Sequence, residues 1–359
     1  MAEKPLFLKV FDVGHGDCIL VTFPNDEMGL IDSNTMNETA QCPAIPDILN
    51  GSRRLRFLCL THPHDDHYRG MLSVLKHSDI TVDAFWHPMS LCLEDVLHFF
   101  NERFVPYYRD VPFVSRKMRL ESGELLDIFE HLENNKSTDF TKRIGDFQKL
   151  DSVGGVNVIS LGPSHNFSNR YEKRLKEAIK QTVLDEKIKV NRNHANAISI
   201  VLMFEYGESK VILGGDALRG NWKAIRAGAD RKKAAVDSAN CFKVSHHGSK
   251  NCFYYGMWDH FLADKGVLIV SSGNPGHPSA DFIRSTKERW SIFCTNKGRH
   301  CSSYHSDSTV TWTARHWLDR VSRSPDGSEK CCSNIEIEIL RNSDVKVSYA
   351  TTEQRSCGR

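Results

Sequence analysis

Residues 61–67 read Thr-His-Pro-His-Asp-Asp-His, which gathers His62, His64 and His67 with two carboxylates inside six residues. Imidazole nitrogen and carboxylate oxygen are the donors that zinc and similar ions prefer. The cluster follows RFLCLT at 56–61, an almost wholly apolar run of the kind that forms a buried central strand. A loop leaving the end of a rigid strand can converge several side chains on one point, so the pattern points to a metal centre. A merely solvated polar loop would leave this density of donors without a reason.

The elements that must position such a centre are legible in outline. LFLKVFDV, CILVTF and MGLID, between residues 6 and 33, alternate with Gly and Pro punctuation as in a β-meander. Tyr68 to His77 has helical spacing, with Met71, Leu72 and Leu75 on one side. Residues 90–190 carry long charged helical stretches, interrupted by GVNVIS at 155–160, and are expected as a helical insertion or lid. Strand patterns return at 198–205, 210–213, 241–245 and 267–271, with a helical segment between Asp216 and Ala239. IEIEIL and VKVSYA around RNSD predict a C-terminal hairpin. Two strand-rich halves with covering helices fit an α/β sandwich, expected as a domain over 1–290 and an extension over 291–359 that completes or flanks the sheet.

The 359 residues are 40% apolar, enough for a sizeable core. Lys and Arg number 47 against 45 Asp and Glu, a formal charge of +2, so attraction to a polyanion must be local. No apolar run approaches the roughly 20 residues of a membrane span, and the start lacks the features of a signal peptide. The 11 cysteines are scattered through apolar stretches, as with Cys18 and Cys59, which suits reduced, packed thiols and a cytosolic protein. His300, Cys301, His305 and His316 with Cys331 and Cys332 lack the spacing of a zinc knuckle.

His-x-His-x-Asp-His after an apolar strand resembles the signature of metallo-β-lactamase-fold hydrolases, and the resemblance runs along most of the chain. Its nearest form is similar to the C-terminal hydrolase domain of ComEC-like competence proteins. FDVGHGDCILV at 11–21 looks like their opening Asp-Val-Gly-Gln-Gly-Asp segment, with His15 for Gln and Cys18 for Ala. ANAISIVLMFEYGESKVILGGDA at 195–217, FKVSHHGSK at 242–250 and NPGHPSADFI at 274–283 resemble their later motifs. The resemblance implies an αββα sandwich with a two-metal centre. His62 and His64 would bind one ion, Asp66 and His67 the other, and Asp216 would bridge them. His246 or His247 would add a ligand, the strand-end position favouring His246. Asp32 would orient a ligand histidine from behind. Where most members have a third histidine for the first ion, this chain has Asn196, with His194 two residues earlier.

Taken singly, several of these residues have plainer readings. Asp216 could cap a helix, His246 and His247 could end a strand, His277 before Pro278 could form a turn, and Gly14-His15-Gly16 could be a tight hairpin corner.

Two ions about 3.5–4 Å apart lower the pKa of a shared water and clamp the attacked group, making a metal-bound hydroxide the nucleophile. Asp66, His67 and Asp216 are the expected catalytic set. Lys243, Ser249, Lys250 and His277, with His194 and Asn196, are candidates on the substrate side. Zinc is the expected metal, with manganese the other option. The leading expectation is a phosphodiesterase or nuclease acting on DNA. A small-molecule metallohydrolase and a non-catalytic metal-stabilised module are the alternatives, because the scaffold does not fix the substrate. A basic rim for DNA would draw on Arg69, Lys243, Lys250 and the 170–176 stretch.

Overall fold

The computed structural model describes residues 4–36, 40–90, 116–134, 140–182, 195–271, 277–286, 290–295 and 333–351. A first sheet takes β1 (Leu6–Val10), β2 (Ile19–Thr22), β3 (Met28–Ile31), β4 (Arg54–Cys59), β5 (Thr81–Val82), β6 (Phe85–Pro88) and β7 (Thr141–Ile144). A second takes β8 (Gln148–Val153), β9 (Val156–Gly162), β10 (Val201–Tyr206), β11 (Ser209–Leu213), β12 (Ala239–Lys243), β13 (Leu262–Val270) and β14 (Ser291–Cys294). The C-terminal hairpin, β15 (Ser333–Ile339) and β16 (Val345–Thr351), returns to the first sheet, where β15 pairs antiparallel with β1. The orders are β16-β15-β1-β2-β3-β4-β6-β7, with β5 also on β4, and β14-β13-β12-β11-β10-β9-β8.

Alternation decides which faces meet. Leu6, Leu8 and Val10 of β1 are buried while Phe7 and Lys9 are half-buried, as a strand with one core face requires. These side chains join Val21, Phe57, Leu202, Phe204 and Ile269 in the core between the sheets. The outer face of the first sheet is covered by α1 (Ile45–Asn50), α2 (Asp65–Tyr68), α3 (Met71–Leu75) and α4 (Arg116–Asn134), through Ile48, Met71, Val74, Ile128 and Phe129. α5 (His165–Thr182) adds Tyr171 to the same cluster. The outer face of the second sheet is covered by α6 (Arg219–Lys232), α7 (Met257–Phe261) and α8 (Ala280–Thr286), through Trp222, Ile225, Trp258, Phe261 and Phe282. The result is an αββα sandwich.

Three expectations are revised. Residues 90–190 are not a purely helical insertion, because 141–162 supply β7 to the first sheet and β8 and β9 to the second. β7 was hidden because Thr-Lys-Arg-Ile is mostly polar, as suits an edge strand. The helix expected over Tyr68–His77 is instead two short ones. Gly70, at φ +92, breaks them, and a Cβ there would come within 2.8 Å of the Ser33 carbonyl oxygen. The strand expected from residue 198 starts at Val201, after the buried Ile198 and Ile200. The His and Cys residues between 300 and 332 lie outside the described residues, and among those described no helix is long and apolar enough to cross a membrane.

Within the inter-sheet core, Phe57 stacks on Trp86 at 3.9 Å and 9°, and a Cβ on Gly29 would fall 2.3 Å from the Phe57 ring. Phe57→Ala should therefore cost about 3–5 kcal/mol, the usual penalty for emptying a packed aromatic site, read as a lower denaturant midpoint at unchanged slope.

Candidate metal centre

The donors assemble because successive strands of both sheets end at one edge of the sandwich. Asp32 follows β3 in a left-handed conformation, φ 52. Its backbone N–H donates to the Cys59 carbonyl at 2.9 Å. Its carboxylate accepts from the Thr61 N–H at 2.8 Å and the Thr61 hydroxyl at 2.7 Å, so it grips the start of the His-rich loop. The same carboxylate lies 2.6 Å from His67 Nδ1, fixing that ring with Nε2 on the other side. Asp32 thus orients His67 from behind.

From the second sheet, β11 runs into Gly214-Gly215-Asp216. Gly215 has φ +48, and a Cβ would sit 3.0 Å from the Ile200 carbonyl oxygen. The Ile200 N–H donates to the Thr61 carbonyl at 2.9 Å, joining the two halves beside the site. After β12, His246 and His247 are both left-handed, φ 46 and 54, ahead of Gly248 at φ 75. Non-glycine residues held there cost on the order of 1–3 kcal/mol each and persist only where the surroundings impose them.

The side chains form two groups that share one carboxylate. His62, His64 and Asp216 bring donor atoms within 4.8 Å of one another, and so do His67, Asp216 and His247. Asp216 Oδ2 is 3.8 Å from His62 Nε2, while Oδ1 is 3.6 Å from His67 Nε2. Asp66 Oδ2 lies 3.9 Å from His67 Nε2. Burial pushes the His62 imidazole well below its usual pKa and that of His247 down to about 4, leaving neutral nitrogens able to ligate. Burial also opposes a proton on His67, but the surrounding Asp32, Asp216 and Asp66 outweigh it and raise its pKa well above normal. A cation would replace that proton.

Whether these residues suit a divalent ion is decided by their unmet valences. His67 Nε2, Asp216 Oδ1 and His247 Nε2 are buried with no hydrogen-bond partner among the described residues. Each such atom costs about 1–3 kcal/mol, and one cation among them would satisfy all three. The residues fit.

Not every expected residue arrives as anticipated. His247, fully buried, joins the second group, and His246 has Nε2 3.4 Å from the Asn196 amide nitrogen and 3.9 Å from Asp216. The turn carries His247 inward, while His246 Nε2 stands almost as near Asp216 Oδ2 as His62 Nε2 does, 3.9 Å against 3.8 Å. His277 is half-buried with its ring 6.3 Å from that of His246. Ser249 is buried in the turn, where its hydroxyl accepts from the Asn251 N–H, and Lys250 is exposed. His194 lies outside the described residues.

Lys243 is a correction. It is 1% exposed and its ammonium lies 2.5 Å from Asp17, so it cannot line a substrate surface. Asp17 also accepts from the Ser271 hydroxyl at 2.5 Å, and His247 Nδ1 sits 2.9 Å from the Ser271 carbonyl oxygen. Burial disfavours the Asp17 charge, but Lys243 together with His67 and His247 outweighs this and lowers its pKa. The pair therefore underpins His247. A lysine inside the apolar run Cys-Phe-Lys-Val was the sequence signal for it. His15, read as a hairpin corner, is likewise part of the centre, with Nε2 2.9 Å from Asp66.

The chain matches the model of the Metallo-beta-lactamase superfamily over residues 11–229. A search of curated proteins finds no match. Among solved structures it is similar to CmlA, a diiron β-hydroxylase from Streptomyces venezuelae (14% identity, TM-score 0.40, 77% of this chain and 46% of that one). It is also similar to zinc-bound PqqB from Methylobacterium extorquens (10%, 0.40, 80% and 98%), and to a metal-dependent hydrolase of the beta-lactamase superfamily (11%, 0.41, 80% and 95%). The chain spans about half the length of the CmlA structures.

Removing one partner of a buried ion pair strands the other charge and typically costs 3–5 kcal/mol. Lys243→Met should lower stability by about that much, and Asp17→Asn combined with Lys243→Met should recover a large part of it, both measured by denaturant unfolding.

Proposed function

The chain belongs to the metallo-beta-lactamase superfamily, and from that premise we propose that it is a two-metal hydrolase of phosphodiesters, with DNA as its substrate and zinc, or else manganese, as its metal. The observation that carries this reading is the division of Asp216, one oxygen facing His62 and the other facing His67. A carboxylate between two imidazole groups is what a pair of neighbouring cations requires. Bound there, such ions supply a water of lowered pKa and an electrophilic clamp for a substrate oxygen.

The chain's own residues do the rest. His62 and His64 hold the first position, and Asp66, His67 and His247 the second. Asp66 and Asp216 offset the cations' charge. Asp32 keeps the His67 ring turned so that Nε2 faces Asp216. On the substrate side, His277 has a buried Nδ1 with no hydrogen-bond partner among the described residues and suits a phosphate oxygen, and Lys250 is exposed nearby in sequence. The likeness of FDVGHGDCILV and FKVSHHGSK to ComEC-like hydrolase domains supports DNA. So do the exposed Arg170, Lys173 and Arg174 on α5, although Lys176 is engaged by Glu172 at 2.6 Å. A cytosolic setting accords with the free, buried Cys18, Cys42, Cys59, Cys241 and Cys252.

The burial of Lys243 favours a second reading, a small-molecule diester, because it removes one cation from the basic rim that a polyanion would need.

Elemental analysis should find close to two zinc or manganese ions per chain, and Asp66→Ala and Asp216→Ala should each lower turnover by more than about 100-fold, beyond the range for outer-shell partners. Linear, circular and single-stranded DNA would be assayed beside bis-p-nitrophenyl phosphate across a salt series. DNA binding should weaken by about 0.9 in log affinity per unit of log salt for each phosphate neutralised on duplex. Cleavage of the small diester alone would favour the second reading. No hydrolysis of either, or full activity in chelator, would overturn the proposal.

A further inference from the structure

The segment between β1 and β2 is clamped against the metal loop. A Cβ on Gly16, at φ +97, would fall 1.9 Å from the Asp66 carbonyl oxygen. The Asp17 N–H donates to that same carbonyl at 3.2 Å, and the Asn34 N–H to the Asp17 carbonyl at 2.9 Å. The Asn34 side-chain amide donates to the His15 carbonyl. His15 is therefore held on a short, fixed arm. Its ring centroid lies 4.5 Å from that of His247, and its Nε2 lies 2.9 Å from Asp66 Oδ2. Donor atoms of His15, Asp66 and His247 all fall within 4.8 Å of one another.

Two donors each about 2.1 Å from one ion, at tetrahedral or octahedral angles, are roughly 3–3.4 Å apart. The separation of His15 from Asp66 is close to that, and matches the 2.9 Å between His62 Nε2 and His64 Nδ1 in the first group. The group of His15, Asp66 and His247 shares His247 with the group of His67, Asp216 and His247. Sharing His247, the two groups set five donors, two of them carboxylates, side by side on the His67 side of Asp216, in two overlapping triads. The first has His62, His64 and the shared Asp216 within mutual reach among the described residues.

Resting on the two-metal reading above, we infer that His15 is a further metal ligand, which makes the second position the richer of the two and the first to fill. With His15, the two overlapping triads beside the second position offer three imidazoles and two carboxylates, more donors and more negative charge than the two imidazoles and one carboxylate of the first. The first position is then the exchangeable one, with coordination left open for substrate. His15 has a role that a hairpin corner does not explain.

The test is stepwise titration of the metal-stripped protein with Zn(II), followed by calorimetry, and with Co(II), followed by visible absorption. Wild type should bind two ions with affinities at least about tenfold apart. His15→Gln keeps a hydrogen-bond donor for Asp66 but removes the imidazole. It should weaken the tighter step by 10-fold or more, leave the weaker step in place and change the Co(II) spectrum of the first equivalent. If His15 only steadied Asp66 by a hydrogen bond, His15→Gln would keep both affinities and the spectrum while His15→Ala would not, and that result would overturn the inference alone. A wild type that binds two ions of equal affinity, both unchanged in His15→Gln, would also overturn it. A wild type that binds no metal would overturn the two-metal reading together with it.

Discussion

Three carboxylates, Asp17, Asp32 and Asp216, are buried at one edge of the sandwich, and an ionised carboxylate taken out of water there costs several kcal/mol unless it is paired and hydrogen-bonded. Each is answered differently. Asp17 has the Lys243 ammonium and the Ser271 hydroxyl. Asp32 has His67 and two donors from Thr61. Asp216 has imidazoles around it, yet Oδ1 has no hydrogen-bond partner among the described residues. The first two are self-contained supports, and the third is the one whose charge calls for a cation. The loops, turns and unusual backbone conformations around the edge make sense as the means of holding these three charges in place.

The scaffold meets that demand by ending strands from both sheets at the same place. β3 delivers Asp32, β4 the His-rich loop, β11 Asp216, and β12 the turn of His246 and His247. Consecutive left-handed histidines would not persist in a loose loop. The His246 N–H donates to the Gly215 carbonyl, and the Ser279 N–H to the Gly248 carbonyl, which tie the turn to its neighbours on both sides. Rigidity of the strand ends thus sets the spacing of the donors.

The sandwich and its family are legible in the sequence because their signals are local: apolar alternation for the strands, and His62 to His67 packed into one loop. What it missed depends on distance. Asp17 and Lys243 are 226 residues apart, and nothing near Lys243 marks it as an inward charge except the apolar residues that flank it. His15 was legible as a turn but not as a neighbour of Asp66, since that contact needs the β1–β2 loop folded over α2. The choice between His246 and His247 depended on two backbone angles that residue types do not encode. β7 escaped notice because an edge strand with a wetted face need not look apolar.

The pairing of β1 with β15 joins Leu6 to Ile339 and Val10 to Ile335, and the Asp12 N–H finds its acceptor in the side chain of Asn334. During synthesis β1 therefore leaves the ribosome with β2 beside it, while its other edge has no partner until residue 333 and those after it have been translated. At typical elongation rates of about 5–20 residues per second, that wait lasts on the order of tens of seconds. Throughout it, the edge of β1 that β15 covers in the finished fold is open, and an open strand edge is the type of template that recruits other chains. The same long-range closure that completes the sandwich leaves that edge unpaired for most of translation.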